Sequence, residues 1–330
     1  MQSIHRRHVL GGAAAAALGF ALPGAFAENL HKNARVTVGF PPGDMADSVA
    51  RLVLEQVRGN YADAMIVDNK PGAAARMAIT QFTKYKADGS ELLFTPGAMI
   101  VLFPHVFEKL SYDPLTELKP VTKIATASFG LAVGPAVPAE VKTLDQYLAW
   151  ARKDPKNASY GTSGAGTGIH LTAEYLARLT KTPLTMVAYR GASLAVNDLI
   201  AGQIPAQMAT IPSLIEHVRG GRARFIAVSS AERLKNLPDV PTFKELGRPE
   251  LVTDDFFGFF LPASGSNEAA NAMNRAVLAS LKDAKVIAGL ESLGLNVSAT
   301  ATPAEFSAMI AHEYKKWGEI AKRIDFKPLA

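Results

Sequence analysis

Cysteine is absent from all 330 residues, which excludes structural disulfides, a cysteine-ligated zinc site and a thioether lipid anchor. Charge of one sign is scarce too: 35 Lys and Arg stand against 30 Asp and Glu, and without Arg6 and Arg7, which fall in the leader described below, 33 stand against 30. That excess is too small for a nucleic-acid binder, and no basic block is interleaved with aromatics as a single-strand groove requires. The histidines, among them His105, His217 and His312, are scattered singly without metal-ligand spacing, so neither metal nor cofactor is expected. Beyond the leader, no apolar run approaches the roughly 18 residues of a membrane span.

What is present begins with an export signal. HRRHVL (5–10) precedes a small apolar run (11–22) and Ala25-Phe26-Ala27, which reads as a leader cleaved after Ala27. Paired Arg6 and Arg7 favour the twin-arginine route over the general one, and the product is expected in the periplasm as a soluble protein. The remaining chain of about 300 residues exceeds what one compact core usually holds, so two domains are expected.

One local pattern recurs along the chain. The β-branched run 35–40 (RVTVGF) stops at Pro41-Pro42-Gly43 and is followed by helical spacing over 47–57, with Asp47 placed to cap the helix. Strands are expected again at 65–67, 92–95, 121–133, 158–160, 184–188, 225–228 and 256–261, and helices at 73–84, 143–152, 169–179, 195–201, 268–281 and 303–323. Such alternation predicts parallel α/β sheets, whose ligands sit where strand ends meet helix amino ends.

The loops at those ends hold the candidate site. Gly161 to Gly168 (GTSGAGTG) brings backbone and hydroxyls to a helix amino end, a setting for an anionic oxygen. It lacks a P-loop lysine, dinucleotide spacing and a nucleophile elbow. His170 invites pairing with Ser163 as a hydrolytic couple, but with no evident orienting acid a structural histidine is the favoured reading. In 40–47, Phe40 offers an aromatic wall, Pro42 and Gly43 a rigid turn, and Asp44 a partner for an ammonium or hydroxyl that would repel a carboxylate. Tyr189-Arg190-Gly191 ends another strand, where Arg190 is placed to clamp a carboxylate.

Seven segments in order carry a likeness to a known family: VGFPPGDMADSVAR (38–51), VDNKPGAAARMA (67–78), YGTSGAGTGIHLTAEYL (160–176), AYRGASLAVNDLIAGQI (188–204), AVSSAERLKNLPDVPTFKELG (227–247), GFFLPASGSNEAANAMNRAV (258–277) and TPAEFSAMIAHEYKKW (302–317). The chain resembles the Bug receptors, the extracytoplasmic binding proteins of tripartite tricarboxylate transporters, over nearly its whole mature length. The resemblance implies a type II periplasmic-binding fold: two α/β lobes, 28–128 with 255–330 and 129–254, joined by two crossing strands near 124–133 and 254–262, with a ligand cleft between them. It implies no catalysis, a monomer, a small organic acid as ligand and the membrane components of the transporter as partners. The ligand carboxylate is then held mainly by amides, hydroxyls and water. Contacts are expected from Phe40, Pro42, Gly43, Asp44 and Asp47; from Ser163, Gly164, Ala165 and Thr167; from Tyr189, Arg190 and Gly191; and, more weakly, from Gly97 and Ala98. The chain departs from the family at Asp44-Met45 and at Ala73-Ala74-Ala75, where glycines are usual, and 95–104 lacks the usual His and Asn. The rival readings are an exported hydrolase using Ser163 and a periplasmic sensor on the same fold.

Overall fold

The computed structural model describes residues 31–329 apart from Arg190; the leader lies outside the described residues. In chain order, β1 (His31–Val38) leads to α1 (Met45–Val57), β2 (Ala62–Asn69) to α2 (Arg76–Phe82), and β3 (Glu91–Pro96) to the short α3 (Ala98–Val101) and α4 (Phe103–Val106). β4 (Leu118–Ala127) and β5 (Phe129–Val133) follow with one residue between them, then α5 (Leu144–Ala151), β6 (Ser159–Thr162), α6 (Gly168–Thr180), β7 (Thr185–Ala188) and α7 (Ala192–Ile200). The chain continues through β8 (Ala206–Thr210), α8 (Ile211–Arg219), β9 (Arg224–Val228), β10 (Asp255–Pro262), α9 (Asn267–Ser280), α10 (Ala284–Ser292), β11 (Asn296–Val297) and α11 (Pro303–Arg323).

The strands form two sheets, ordered β11-β4-β10-β3-β1-β2 and β7-β6-β8-β5-β9. Each is the centre of one α/β lobe. The sheets are mixed rather than all parallel: β10 runs antiparallel to β3 and β4, and β5 antiparallel to β8 and β9. The reason is connectivity. A strand arriving from the other lobe enters at the edge from which β1, β2 and β3, or β6, β7 and β8, leave, so it runs against them.

Burial explains which segments became strands. β10 is buried from Phe256 to Pro262 and sits in mid-sheet, as its near-continuous apolar sequence requires. Separate apolar clusters fill the two faces of the first sheet, one beneath α1 and α9 around Val49, Val53 and Met273, the other reaching Phe306 and Trp317 of α11. The second of these continues into the other lobe through Phe129, Ile169 and Leu176. α11 carries Thr302 as its cap, Pro303 in its first turn and Lys322 and Arg323 in its last, an arrangement that suits a helix at both ends.

Two element boundaries change as well. The helix expected over 73–84 covers only Arg76–Phe82, because Ala73, Ala74 and Ala75 adopt φ of 47°, 52° and 67° and form a left-handed turn. The single strand expected over 121–133 breaks at Ser128, where the chain passes from one sheet to the other. β8 and α8 were hidden by the short, mixed sequence 206–219, which shows neither period clearly.

Candidate functional site

Because β1, β2 and β3 are parallel, the loops after Val38, Asn69 and Pro96 lie along one edge of the first sheet. The parallel β6, β7 and β8 place the loops after Thr162 and Ala188 along one edge of the second. A Cβ on Gly166 would lie 2.8 Å from Leu329 Cδ1 and 3.7 Å from Val106 Cγ2, so the 163–167 loop stands beside the segment following β3. Ligands of open α/β sheets bind beyond such strand ends.

In the first loop the helix cap expected at Asp47 falls to Asp44 instead. Asp44, exposed, is the cap of α1, its carboxylate accepting from Ala46 N at 3.1 Å. Asp47 lies one turn in, is 2% exposed, and accepts from Gly43 N at 2.8 Å, Arg51 Nε at 2.9 Å and Asn69 Nδ2 at 2.8 Å. Asn69 also donates to Phe40 O at 3.0 Å, so β2 and α1 together set the shape of the loop. Burial would raise the Asp47 carboxyl, but hydrogen bonds from Arg51, Gly43 and Asn69, with the Arg51 charge, hold it below the usual carboxylate range. Asp47 is thus a brace beneath the loop, while Pro42, Gly43 and Asp44 are open to solvent and Phe40 is half-buried.

The amides of the third loop are engaged within the protein. Gly97 N donates to Phe256 O at 2.6 Å, and Ala98 N donates to Asp255 Oδ1 at 3.0 Å. Gly97 is buried against the Phe256 ring, where a Cβ would lie 2.3 Å from Cε1. Asp255, which the sequence reading passed over, therefore ties this loop to the start of β10. The only signal for it was a pair of carboxylates, Asp254-Asp255, directly ahead of the apolar run FFGFFL.

On the second sheet, Thr167 caps α6: its Oγ1 accepts from His170 N at 3.2 Å and donates to Gly164 O at 3.0 Å. His170 Nδ1 accepts from Gly166 N at 3.1 Å, and its Nε2 lies 3.8 Å from Glu174 Oε1. Burial pushes the His170 pKa below the ordinary histidine value, against the pull of Glu174, so the ring is a neutral latch across the loop. Ser163 Oγ makes no hydrogen bond among the described residues, and Ser163 and Gly164 are half-buried with Ala165 exposed. With its Nδ1 accepting and its Nε2 turned to Glu174, His170 has no ring nitrogen placed to take a proton from Ser163.

Tyr189 donates its backbone N–H to Thr162 O at 2.9 Å and its hydroxyl to Asp198 Oδ2 at 2.7 Å. Burial and the Asp198 carboxylate together raise its phenol to about 12. Gly191, at φ 125°, precedes α7 in a conformation that favours glycine. Arg190, read as a carboxylate clamp, lies outside the described residues.

Where the chain crosses between lobes the two connections are linked. Phe129 N donates to Ser229 Oγ at 2.9 Å, and Ser229 Oγ donates to Asp254 Oδ1 at 3.0 Å. Among the described residues no cluster of three or more His, Asp or Glu side chains is arranged to hold a metal ion, and no helix is long and apolar enough to cross a membrane.

Comparison with known proteins agrees with this geometry. Residues 49–326 match the model of the tripartite tricarboxylate transporter family receptor, TctC. The protein BugT of Bordetella pertussis is 26% identical over 294 residues, 89% of each chain. A solved periplasmic transporter superposes with a TM-score of 0.77 at 31% identity, over 89% of this chain and 98% of its own. A Rhodopseudomonas palustris protein solved with adipate gives 0.78 at 26%, over 90% and 98%. With two lobes, two crossings and residues 49–326 matching the family model, the chain belongs to the receptor family of the tripartite tricarboxylate transporters.

Proposed function

We propose that this receptor captures a small carboxylate-bearing ligand between its lobes by hinge closure and delivers it to the membrane components of a tripartite tricarboxylate transporter, without chemical conversion. The family is one of periplasmic solute-binding receptors, and an adipate-bound relative supports an acid as ligand. The observation that supports the reading is the placement of the braced 40–44 loop after β1 and of Ser163 at the amino end of α6 after β6, each at the end of parallel strands, where open α/β sheets bind ligands. In this reading 28–128 with 255–330 form one lobe and 129–254 the other; the contacts come from Phe40, Pro42, Gly43, Asp44, Ser163, Gly164, Ala165, Tyr189, Arg190 and Gly191. Asp47, Thr167, Gly97 and Ala98 act by shaping those loops. The engaged His170 argues against the hydrolase reading.

A thermal-shift screen of residues 28–330 against mono- and dicarboxylates, aromatic acids and amino acids, with turnover assayed on every hit, tests this. A melting temperature that climbs with ligand concentration and no product is the expected result. Ser163→Ala should weaken binding of the hit roughly ten-fold, the loss of about one hydrogen bond to a charged group. Product formation, abolished in that variant, would instead establish the hydrolase.

A further inference from the structure

The β4–β5 crossing divides the gap between the lobes in two. β10, β3, β1 and β2 lie to one side of β4 and β11 to the other; β8, β6 and β7 lie to one side of β5 and β9 to the other. All the ligand loops are on the first side. On the second is a groove of about 230 Å³ lined by both lobes, with Leu234, Lys235 and Asn236 following β9 and Glu291, Leu295 and Asn296 beside β11. Two contacts span this back side. Lys235 Nζ stands 4.0 Å from Glu291 Oε1. Gly294 lies so near Pro212 that a Cβ would be 2.4 Å from its Cγ.

We infer that this groove behind the crossing strands sets the balance between open and closed receptor, and so the ligand affinity, without touching the ligand. The lobes are packed bodies joined by a one-residue link, Ser128, by the Phe129–Ser229–Asp254 hydrogen bonds and by the packed seam between α6 and α11. Rotation about so short a link narrows the front as it widens the back. Anything that fills the groove or repels its walls therefore favours closure, whereas the Lys235–Glu291 and Pro212–Gly294 contacts hold the back together and resist it. Apparent affinity scales with the closed fraction: raising that fraction from about one tenth to about one half improves binding about five-fold. This rests on the hinge-closure reading above, but not on which ligand is bound.

The cysteine-free chain accepts a spin-label pair without background labelling. Lys84→Cys just after α2 and Leu194→Cys in α7, both at exposed positions, report the cross-cleft distance by double electron–electron resonance in ligand-free protein. Asn236→Trp, a wedge in the groove, should move the distribution to shorter distances. Glu291→Lys sets two cations across the groove and should do the same more weakly, the effect disappearing in about 0.5 M salt as exposed charges are screened. Because Lys235 and Glu291 are 91% and 52% exposed, that variant will fold even where the tryptophan does not. Unchanged or longer distances in a folded Glu291→Lys protein at low salt would overturn the inference. Shorter distances with no acid bound by any variant would uphold the lever and count against the receptor reading instead.

Discussion

Asp255 shows how much a single carboxylate's surroundings matter here. Burial raises its pKa to about 6, although hydrogen bonds from Phe256, Ala98 and Gly97 pull the other way and the charge of Asp254 adds to the rise. Its folded value thus lies above the ordinary 3.8, so the folded protein binds the proton more tightly than the unfolded chain. The cost of ionising it is absent below about pH 4 and complete above about pH 6. Asp255→Asn keeps an acceptor for the loop amides and removes that cost. Thermal melts should show the variant level with the parent near pH 4 and more stable by roughly 1–3 kcal/mol at pH 7.5; an offset independent of pH would refute this account. A second residue-scale cost lies in the 73–75 turn, where alanine at positive φ is disfavoured by about 1–2 kcal/mol. Ala74, exposed at φ 52°, is the clean site: Ala74→Gly should stabilise by about 0.5–1 kcal/mol in urea unfolding. Gly39→Ala should do the reverse, since its Cβ would lie 2.3 Å from that of Ala75.

At the scale of elements, the 40–44 loop is held by the helix after it and by the neighbouring strand. Asn69 at the end of β2 donates to both Phe40 O and Asp47, and Arg51 on α1 closes the group. Asn69→Ala leaves a buried carboxylate oxygen and a carbonyl short of a donor, so a loss of about 1–3 kcal/mol is expected in chemical denaturation. Ligand binding should weaken beyond what that loss of stability explains, because the 40–44 loop would no longer be pre-shaped. Equal affinity in the folded variant would show that the brace serves stability alone. The outline of these elements was legible in the sequence wherever one period ran long enough, as in α1, α6 and α11. It failed at 73–75, where nothing local announces that three alanines will turn left-handed, and at 206–219, where strand and helix are too short to show a period.

On the scale of the whole molecule, the receptor is two packed bodies whose apolar interior is continuous along the α6 and α11 side, with Gly168 of α6 tight against Phe129 and Trp317. Closure therefore has to be a rotation that leaves this seam packed. Addition of a ligand found by thermal shift should reduce the radius of gyration in small-angle scattering while far-ultraviolet circular dichroism stays unchanged. A constant radius at saturation would mean that the ligand enters a cleft already closed.

The sequence by itself determined the lack of cysteine chemistry, the strand-loop-helix pattern and, through seven ordered motifs, the family. These depend on composition and on neighbours within a turn or two of one another. Only the tertiary structure decided which polar groups of the candidate site are committed. Asn69 reaches Asp47 across 22 positions and Asp255 reaches Ala98 across 157. A hydrogen bond satisfies its donor regardless of separation along the chain, so the choice between brace and ligand contact becomes readable only once the fold has brought both ends together.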